Sequence, residues 1–591
     1  MKYTQLISTS NEDKIDDHEL IFLGNWCKNF DYLINDNKVV NYHWDNRSKL
    51  KDDYNYINDL YEKLIPKISK TLNKLHSKSY SDDYWRIILG YWLFYYLSVN
   101  IDRWENINCA LNQFKEINSY QGLNSDSLPI PANTREFINL ASDGRWNHLT
   151  YTKILKFLIN KKKLNILIVE KKYINLEFYY NYQINLKHKI KNFIINLYLK
   201  IFKNIIKKNK IVLFKTYLGL INELKMNLRY RQFPIFCENK RFEKNIDNDL
   251  RNELDLDFNP KNLFESFILE DIFKNMPSEF LENYKKIDEY LENYYLPENP
   301  KLIFSSRSLA TDNIFVRYIA KKKEIGCKLI YGQHGGGYGQ IDFTWAEDHE
   351  IKISDKYLTW GWYKKNNDKV KSFYLIKDIN HFKFQKTNNI KNLCYFLRSR
   401  PKYTGRIDGS TGSNQMSKYY KDCLNFAKDL NENDNFNITP RFHEARFEWN
   451  HIGIWKKYNF KKFSFTNTES LKYVYKNYDL LIYSYIGTGF LESIALNKPF
   501  ILVSSLLEWP LRKEAVEDFY ELEKVNIFFK DNDKAKLHLK FIHNNLHGWW
   551  NSDEVIRVKN FFKQKYARID VDNKRREELY NLIEKLNKNV I

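Results

Sequence analysis

At 591 residues, with 43% apolar and 16% aromatic side chains, the chain exceeds what one core usually supports and has material for two. A mean hydropathy of -0.61 excludes a polytopic membrane protein. The formal charge of +21 comes from lysines scattered among Asn, Ile and Tyr, with no nucleic-acid-binding motif, so no nucleic-acid partner is expected, while attraction to anionic lipid surfaces and anionic substrates is.

The opening residues, MKYTQLISTSNEDKIDD, carry no apolar segment behind their positive charge, so no secretory signal is read and the cytoplasm is the expected location. Six dispersed cysteines without a Cys-x-x-Cys pair read as reduced thiols. Residues 1–110 show Tyr-, Trp- and Leu-rich periodicity and few β-branched runs, which predicts a largely helical N-terminal region. Its most apolar stretch, IILGYWLFYYLSVNI from Ile87 to Ile101, falls short of the roughly 20 residues that span a bilayer and predicts a buried helix.

Two short apolar runs, ILIVE (166 to 170) and IVLF (211 to 214), predict strands of a first sheet. Between them, Phe193, Leu197, Ile201 and Ile205 recur at helical spacing within the lysine-rich segment 187–210. Such a helix either lies on an anionic membrane or packs into the protein with a solvated basic face; the second reading is preferred. Residues 240–300 are charged and helical in pattern. The runs LIFS (302 to 305) and LIY (329 to 331) bracket a helical segment from Asp312 to Glu324, a strand-helix-strand unit that ends on a glycine-rich loop.

After Trp360 the alternation becomes regular. Apolar runs at 393–397, 436–440, 463–465, 480–484 and 500–503 are separated by helix-length segments. Repeated strand-helix units of this length require parallel pairing with right-handed crossovers, hence a doubly wound α/β sheet with ligands beyond the carboxyl ends of its strands. The expected organisation is an N-terminal α/β domain with its helical region (1–360), a Rossmann-like domain (361–550), and C-terminal helices (551–591) that pack across the interface.

Three segments carry candidate chemistry. The first is Gln333-His334-Gly335-Gly336-Gly337, followed by Tyr338 and Gly339. Its glycines permit positive φ and close approach to a ligand, and His334 is placed to act as general base on an acceptor hydroxyl. Downstream, Glu347, His349 and Glu350 could orient that imidazole or bind acceptor hydroxyls, with Glu347 the preferred catalytic partner. The second segment runs from Ser484 through Gly487, Thr488 and Gly489 to Glu492, where a strand ends and a helix begins. The free N–H groups and positive dipole end of that helix suit a phosphate, while Glu492, four residues past Thr488, would accept from a ribose. The third is a basic set at strand ends, Arg398 with Arg400 and Arg441 with His443; Arg398 and Arg441 are the preferred phosphate forks. Asp255-Leu-Asp257 and Asp570-Val-Asp572 share only the spelling of a glycosyltransferase metal motif, in charged helical surroundings, so neither a metal nor another cofactor is implied.

The segments FLGNWC (22 to 27), YHWDNR (42 to 47), YWRIILGYW (84 to 92), YGQHGGGYG (331 to 339), ISDKYLTWGW (353 to 362) and GTGFLESIALNKPFI (487 to 501) resemble a bacterial family of transferases from spirochaete and other surface-polysaccharide loci. The resemblance covers nearly the whole chain, and QHGGGYG is its most specific element. More loosely, the chain is similar to capsule transferases of the Kdo and nonulosonate type and to teichoic-acid glycerophosphotransferases. The resemblance implies two Rossmann-like domains facing a cleft in the glycosyltransferase-B manner, the N-terminal one (1–360) on the acceptor side and the C-terminal one (361–550) binding the nucleotide, with a nucleotide-sugar donor such as a CMP-activated acidic sugar and a glycan or lipid-linked acceptor of the capsule or O-antigen kind. With no secretory signal read and a basic chain, the expected place stays the cytoplasm, with peripheral attachment to the inner face of the membrane as an option. Glycerophosphate or another group transfer on the same scaffold, and a non-catalytic glycan-assembly or lipid-binding protein, stay open as alternatives.

Overall fold

The structure, a computed structural model, describes residues 4–10, 18–28, 38–123, 128–171, 186–237, 240, 242–310, 312–377, 379, 387–432, 436–443, 449–458, 460–505, 509–570 and 574–588. Among these, every sheet is parallel, and there are three.

The N-terminal sheet has the order β2-β1-β3-β4, built from β1 (Thr4–Ile7), β2 (Glu19–Phe22), β3 (Ser119–Leu123) and β4 (Leu167–Lys171). Two short strands therefore precede the helical part of residues 1–110. Strands spelled TQLI and ELIF mix polar and apolar residues, and Thr4 and Gln5 are buried, so no apolar run announces them. The expected helices follow as α1 (Arg47–His76) and α2 (Asp82–Gln113), the first capped by the Asn46 side chain and the second by Ser81. Helix α2 is buried on all sides from Tyr84 to Trp104 apart from a few atoms, with α1, α3 (Thr134–Leu140), α4 (Gly144–Lys162) and the helix Asn313–Glu324 packed around it. Its largely apolar surface is that of a helix enclosed by protein, and the charged pair it buries, Asp102 and Arg103, is joined by a salt bridge of 2.5 Å.

After α5 (Leu186–Ile206), the middle sheet runs β5 (Ile211–Leu213), β6 (Leu302–Ser305), β7 (Lys328–Gly332), β8 (Lys356–Thr359) and β9 (Val370–Ser372) in simple sequence order. The runs 166–170 and 211–214, expected in one sheet, thus fall in different ones: β4 pairs with β3, and β5 with β6. Between β5 and β6 lies α6 (Leu220–Arg229), among other helices. The sheet continues through β9, past the expected boundary at 360.

The third sheet has the order β12-β11-β10-β13-β14-β15, from β10 (Asn392–Phe396), β11 (Asn437–Phe442), β12 (Ser464–Phe465), β13 (Leu480–Tyr483), β14 (Phe500–Val503) and β15 (Phe528–Phe529). Renumbered within the unit, this is 3-2-1-4-5-6, the order of a Rossmann sheet. β13 and β14 are buried along their whole length, which is why LLIY and FILV read as continuous apolar runs. At the C-terminus, the helix Asp553–Tyr566 packs on the helices Thr488–Ala495 and Lys513–Lys524 of this unit, whereas Lys574–Lys588 returns to β6 of the middle sheet.

Candidate active site

The third sheet reverses its strand order between β10 and β13, and a crevice opens there at the carboxyl ends. Register aligns Phe396, Arg441 and Tyr483 across β10, β11 and β13, so the segments after them converge. They form one wall of a cavity of about 710 Å³, with Arg441 at the end of β11 and His443 just after it, Thr466 after β12, and Tyr485, Thr488, Gly489 and Glu492 after β13. The opposite wall comes from the ends of the middle sheet, with Tyr217, Arg307 and His334, and from Tyr91 of α2.

A hydrogen bond joins the histidine loop to the helix start opposite: the Gly336 N–H donates to Thr488 Oγ1 over 2.8 Å. A Cβ on Gly336 would lie 2.2 Å from the Gly487 carbonyl carbon, so only glycine permits this approach. Gly337 and Gly339 hold φ of 89° and 73°, in the left-handed region that favours glycine. Gln333 fixes the start of the loop. Its amide nitrogen donates to the Gly335 carbonyl at 2.8 Å, and its Oε1 accepts from the Trp360 backbone N–H (3.0 Å) and Trp362 Nε1 (2.8 Å).

His334 lines the cavity with 28% of its side chain exposed. Burial, reinforced by the Arg307 and Arg406 guanidinium groups, pushes its imidazole down to about 4, so the ring is neutral near pH 7. Its Nδ1 has no hydrogen bond among the described residues and lies 3.6 Å from Glu350 Oε1. Glu350 is fully buried and accepts from the hydroxyls of Tyr91 (2.9 Å) and Tyr357 (3.0 Å). Burial nevertheless pushes its carboxyl up to about 8. The partner of the histidine is therefore Glu350 rather than Glu347. Glu347 accepts from the Gly339 N–H at 2.8 Å and pairs with Arg512 at 3.0 Å, which ties the loop to the third sheet's unit but leaves the carboxylate outside the cavity. His349 stacks on Trp345 in the core, with centroids 4.5 Å apart.

Thr488 opens the helix Thr488–Ala495, whose N-cap is Gly487; no side chain caps it. Its first two residues, Thr488 and Gly489, line the cavity, and the dipole adds positive potential at that end. A Cβ on Gly489 would meet the Tyr483 ring at 2.6 Å. Glu492 lines the cavity but is already paired with Lys377 and accepts from the Tyr475 hydroxyl at 3.1 Å. Arg441 is held by Ser464 Oγ (2.6 Å) and the Glu469 carbonyl (2.8 Å), and its Nε has no partner among the described residues.

Two expected phosphate-side residues lie elsewhere. Arg398 donates to Ser410 Oγ (2.6 Å) and Thr411 Oγ1 (2.7 Å) and stacks on Trp509 at 4.3 Å, fastening the loop after β10 outside the cavity. Ser484 donates to the Phe396 carbonyl (2.7 Å) and meets the Tyr419 hydroxyl (2.5 Å), and it faces a separate cavity of about 520 Å³. Arg400 is likewise committed, to Asp408 and Ser410. Among the described residues no group of three or more His, Cys, Asp or Glu is placed for a metal ion. Asp257 pairs with Lys67 and Lys70, and residues 571–572 of the second Asp-x-Asp lie outside the described residues.

Sequence reasoning missed Tyr217, Arg307 and Lys377. The signal for the first two was present: both stand just beyond the carboxyl end of a strand, Tyr217 after β5 and Arg307 after β6.

A Rossmann sheet facing a second parallel sheet across a cleft, with a histidine loop on one side and an uncapped helix start on the other, defines an α/β architecture of the glycosyltransferase-B type. The chain belongs to the LIC12162 family transferase group, whose family model matches residues 4–580. No curated protein sequence matches it. Solved structures with a similar arrangement include the Staphylococcus aureus MnaA–UDP complex (10% identity, 65% of this chain and 98% of that one, TM-score 0.36). Others are the pneumococcal O-GlcNAc transferase GtfA with UDP and GlcNAc (10%, 52% and 60%, 0.29) and the spinosyn rhamnosyltransferase SpnG with spinosyn aglycone (6%, 51% and 77%, 0.29).

Proposed function

We propose that this transferase moves a glycosyl group from a nucleotide-activated sugar, an acidic CMP-activated sugar being the favoured donor, to a hydroxyl of a surface-glycan acceptor without a metal. The observation that carries this reading is the Gly336–Thr488 hydrogen bond, because it sets a neutral histidine and an uncapped helix start on one cavity. The helix N-terminus and Arg441 hold the donor phosphate, and Glu492 with Lys377 lies one helical turn further along the same wall. The acceptor oxygen attacks the anomeric carbon and its proton passes to His334 Nε2. The bond from that carbon to the phosphate oxygen breaks, and the electron pair leaves on the phosphate, where helix N–H groups and guanidinium meet the new charge. Glu350, beside Nδ1, orients the ring.

A thermal-shift screen over CMP-, CDP-, UDP- and GDP-sugars identifies the donor, and product mass separates glycosyl from glycerophosphate transfer. His334→Ala lowers turnover by roughly 10²–10⁴-fold while nucleotide affinity changes little. Near-normal turnover removes His334 from the base role. Failure to bind any nucleotide favours the non-catalytic assembly reading instead.

A further inference from the structure

Helix α5 was expected to pack its apolar stripe inward. Instead Ile190, Phe193, Ile194, Leu197, Ile201 and Ile205 point outward, with Phe193 69% and Ile201 64% exposed. At about 100° per residue, this stripe lies roughly opposite the face that does pack, where Leu199 and Ile206 are buried. On the packed side Phe202 stacks on Phe233 at 4.6 Å and Tyr198 meets Phe236 at 5.4 Å. Helix α6 repeats the pattern: Met226 is buried while Leu220 (68%), Ile221, Leu224 and Leu228 (79%) are exposed. Nearly half of the exposed large apolar side chains among the described residues stand on these two helices. Soluble surfaces rarely gather them so.

Along α5 the charge has one sign. From Leu186 to Lys210 the sequence holds eight lysines and no Asp or Glu. Lys200 and Lys203 are exposed along the flank of the stripe, and Lys208 and Lys210 beyond its end. An apolar face edged by lysines matches an anionic bilayer surface, with acyl chains for the one and headgroup phosphates for the other. The face also adjoins the cleft: Tyr217, which lines the 710 Å³ cavity, stands three residues before Leu220. The turn between holds φ of 50° at Lys215, 64° at Tyr217 and 83° at Gly219, a left-handed path that fixes how α6 leaves the cavity wall.

We infer that α5 and α6 form a docking surface for an anionic lipid membrane, which brings the cavity mouth at Tyr217 to the bilayer so that a lipid-linked acceptor reaches His334. The docking claim stands on the two helices alone, and only the acceptor route rests on the proposed transfer.

Sedimentation of the full chain with vesicles of phosphatidylcholine, alone or mixed with phosphatidylglycerol, tests it without nucleotide, so failure of docking and failure of the transfer reading are read separately. The full chain sediments with the phosphatidylglycerol vesicles and releases in high salt. Phe193→Glu/Ile201→Glu and Leu220→Glu/Leu228→Glu each weaken the partition by roughly tenfold or more. Lys200→Ser/Lys203→Ser weakens it less, and Phe541→Glu, at an exposed site of the third sheet's unit, leaves it unchanged. Melting temperature and nucleotide affinity confirm that each variant is folded. Three results overturn the inference: no sedimentation of the full chain, wild-type sedimentation of both double Glu variants, or loss of a dimer in those variants where the parent binds no vesicles, which would make the face an interface between two copies.

Discussion

Residues 333–339 and residues 485–489 face each other across one cleft, yet their backbone amides are treated in opposite ways. On the histidine side, Gln333 occupies the Gly335 carbonyl and two tryptophan N–H groups, Glu347 takes the Gly339 N–H, and Gly336 reaches across to Thr488. On the other side, Gly487 offers no side chain to cap the helix that follows. One lip is a scaffold tied down by these bonds that presents the His334 ring to the cavity. Under the proposed function, the other keeps its helix-start donors for the phosphate. A group-transfer site needs both, since the base must be held in place before the substrate arrives while the phosphate must find donors that no protein group has claimed.

The comparison breaks most visibly if the lips are forced apart. Gly336→Ala places a methyl carbon against the Gly487 carbonyl, so the loop or the helix start must shift. Turnover falls by about 10²-fold and nucleotide affinity falls with it, because a displacement of about 1 Å suffices for losses of that size. Steady-state kinetics and nucleotide titration check both, and wild-type values would show that lip contact is dispensable. Arg441→Gln sharpens the view of the donor side alone. Its guanidinium is already aimed by Ser464 and Glu469, so its loss removes a preorganised charged donor worth about 2 kcal/mol, or roughly 30-fold in nucleotide affinity. The acid limb of the pH–rate profile stays where it is. Thr488→Val has a smaller effect. It removes the bridging acceptor and leaves the Gly336 N–H without its partner, at about 1 kcal/mol, or roughly fivefold in kcat/KM with the fold intact by thermal melting.

The third sheet was legible because its strands are covered on both faces. β13 and β14 spell four apolar residues each between helix-length segments, and the strand-end rule then led to Arg441 and Thr488. The N-terminal sheet was not legible. TQLI and SYQGL carry polar side chains that stay buried because the sheet itself offers partners, as when Ser119 Oγ donates to the Thr4 carbonyl at 3.2 Å, and periodicity cannot separate such strands from the helical surroundings. Within the site, the failure at Arg398 has a clear cause. A guanidinium at a strand end is equally useful for fastening the loop that follows, and Ser410, Thr411 and Trp509, which claim it, are 12 or more positions away in sequence. Glu347 and Glu350 show the same limit on a finer scale. They stand three residues apart on the helix Trp345–Ile353, and only its packing against α2 and β8 decides which carboxylate meets the histidine.

That choice between carboxylates gives the subtlest test. Burial pushes Glu350 up to about 8, so near pH 7 it is mostly a neutral acid, in the protonation state that a glutamine imitates in charge and shape. Glu350→Gln therefore keeps near-wild-type turnover from pH 5 to 7. The divergence comes above pH 8, where the native carboxyl ionises, places a negative charge 3.6 Å from His334 Nδ1 and raises the basicity of the ring, a change that glutamine cannot undergo. His334 itself has a folded pKa near 4, below its ordinary 6.5, so the neutral base form is complete above about pH 5 and activity is lost only as pH falls through 4. An acid limb near 6.5 would place the ring in water rather than against buried protein. A Glu350→Gln enzyme that is inactive at pH 6 would show that the carboxylate, and not its neutral acid, holds the histidine.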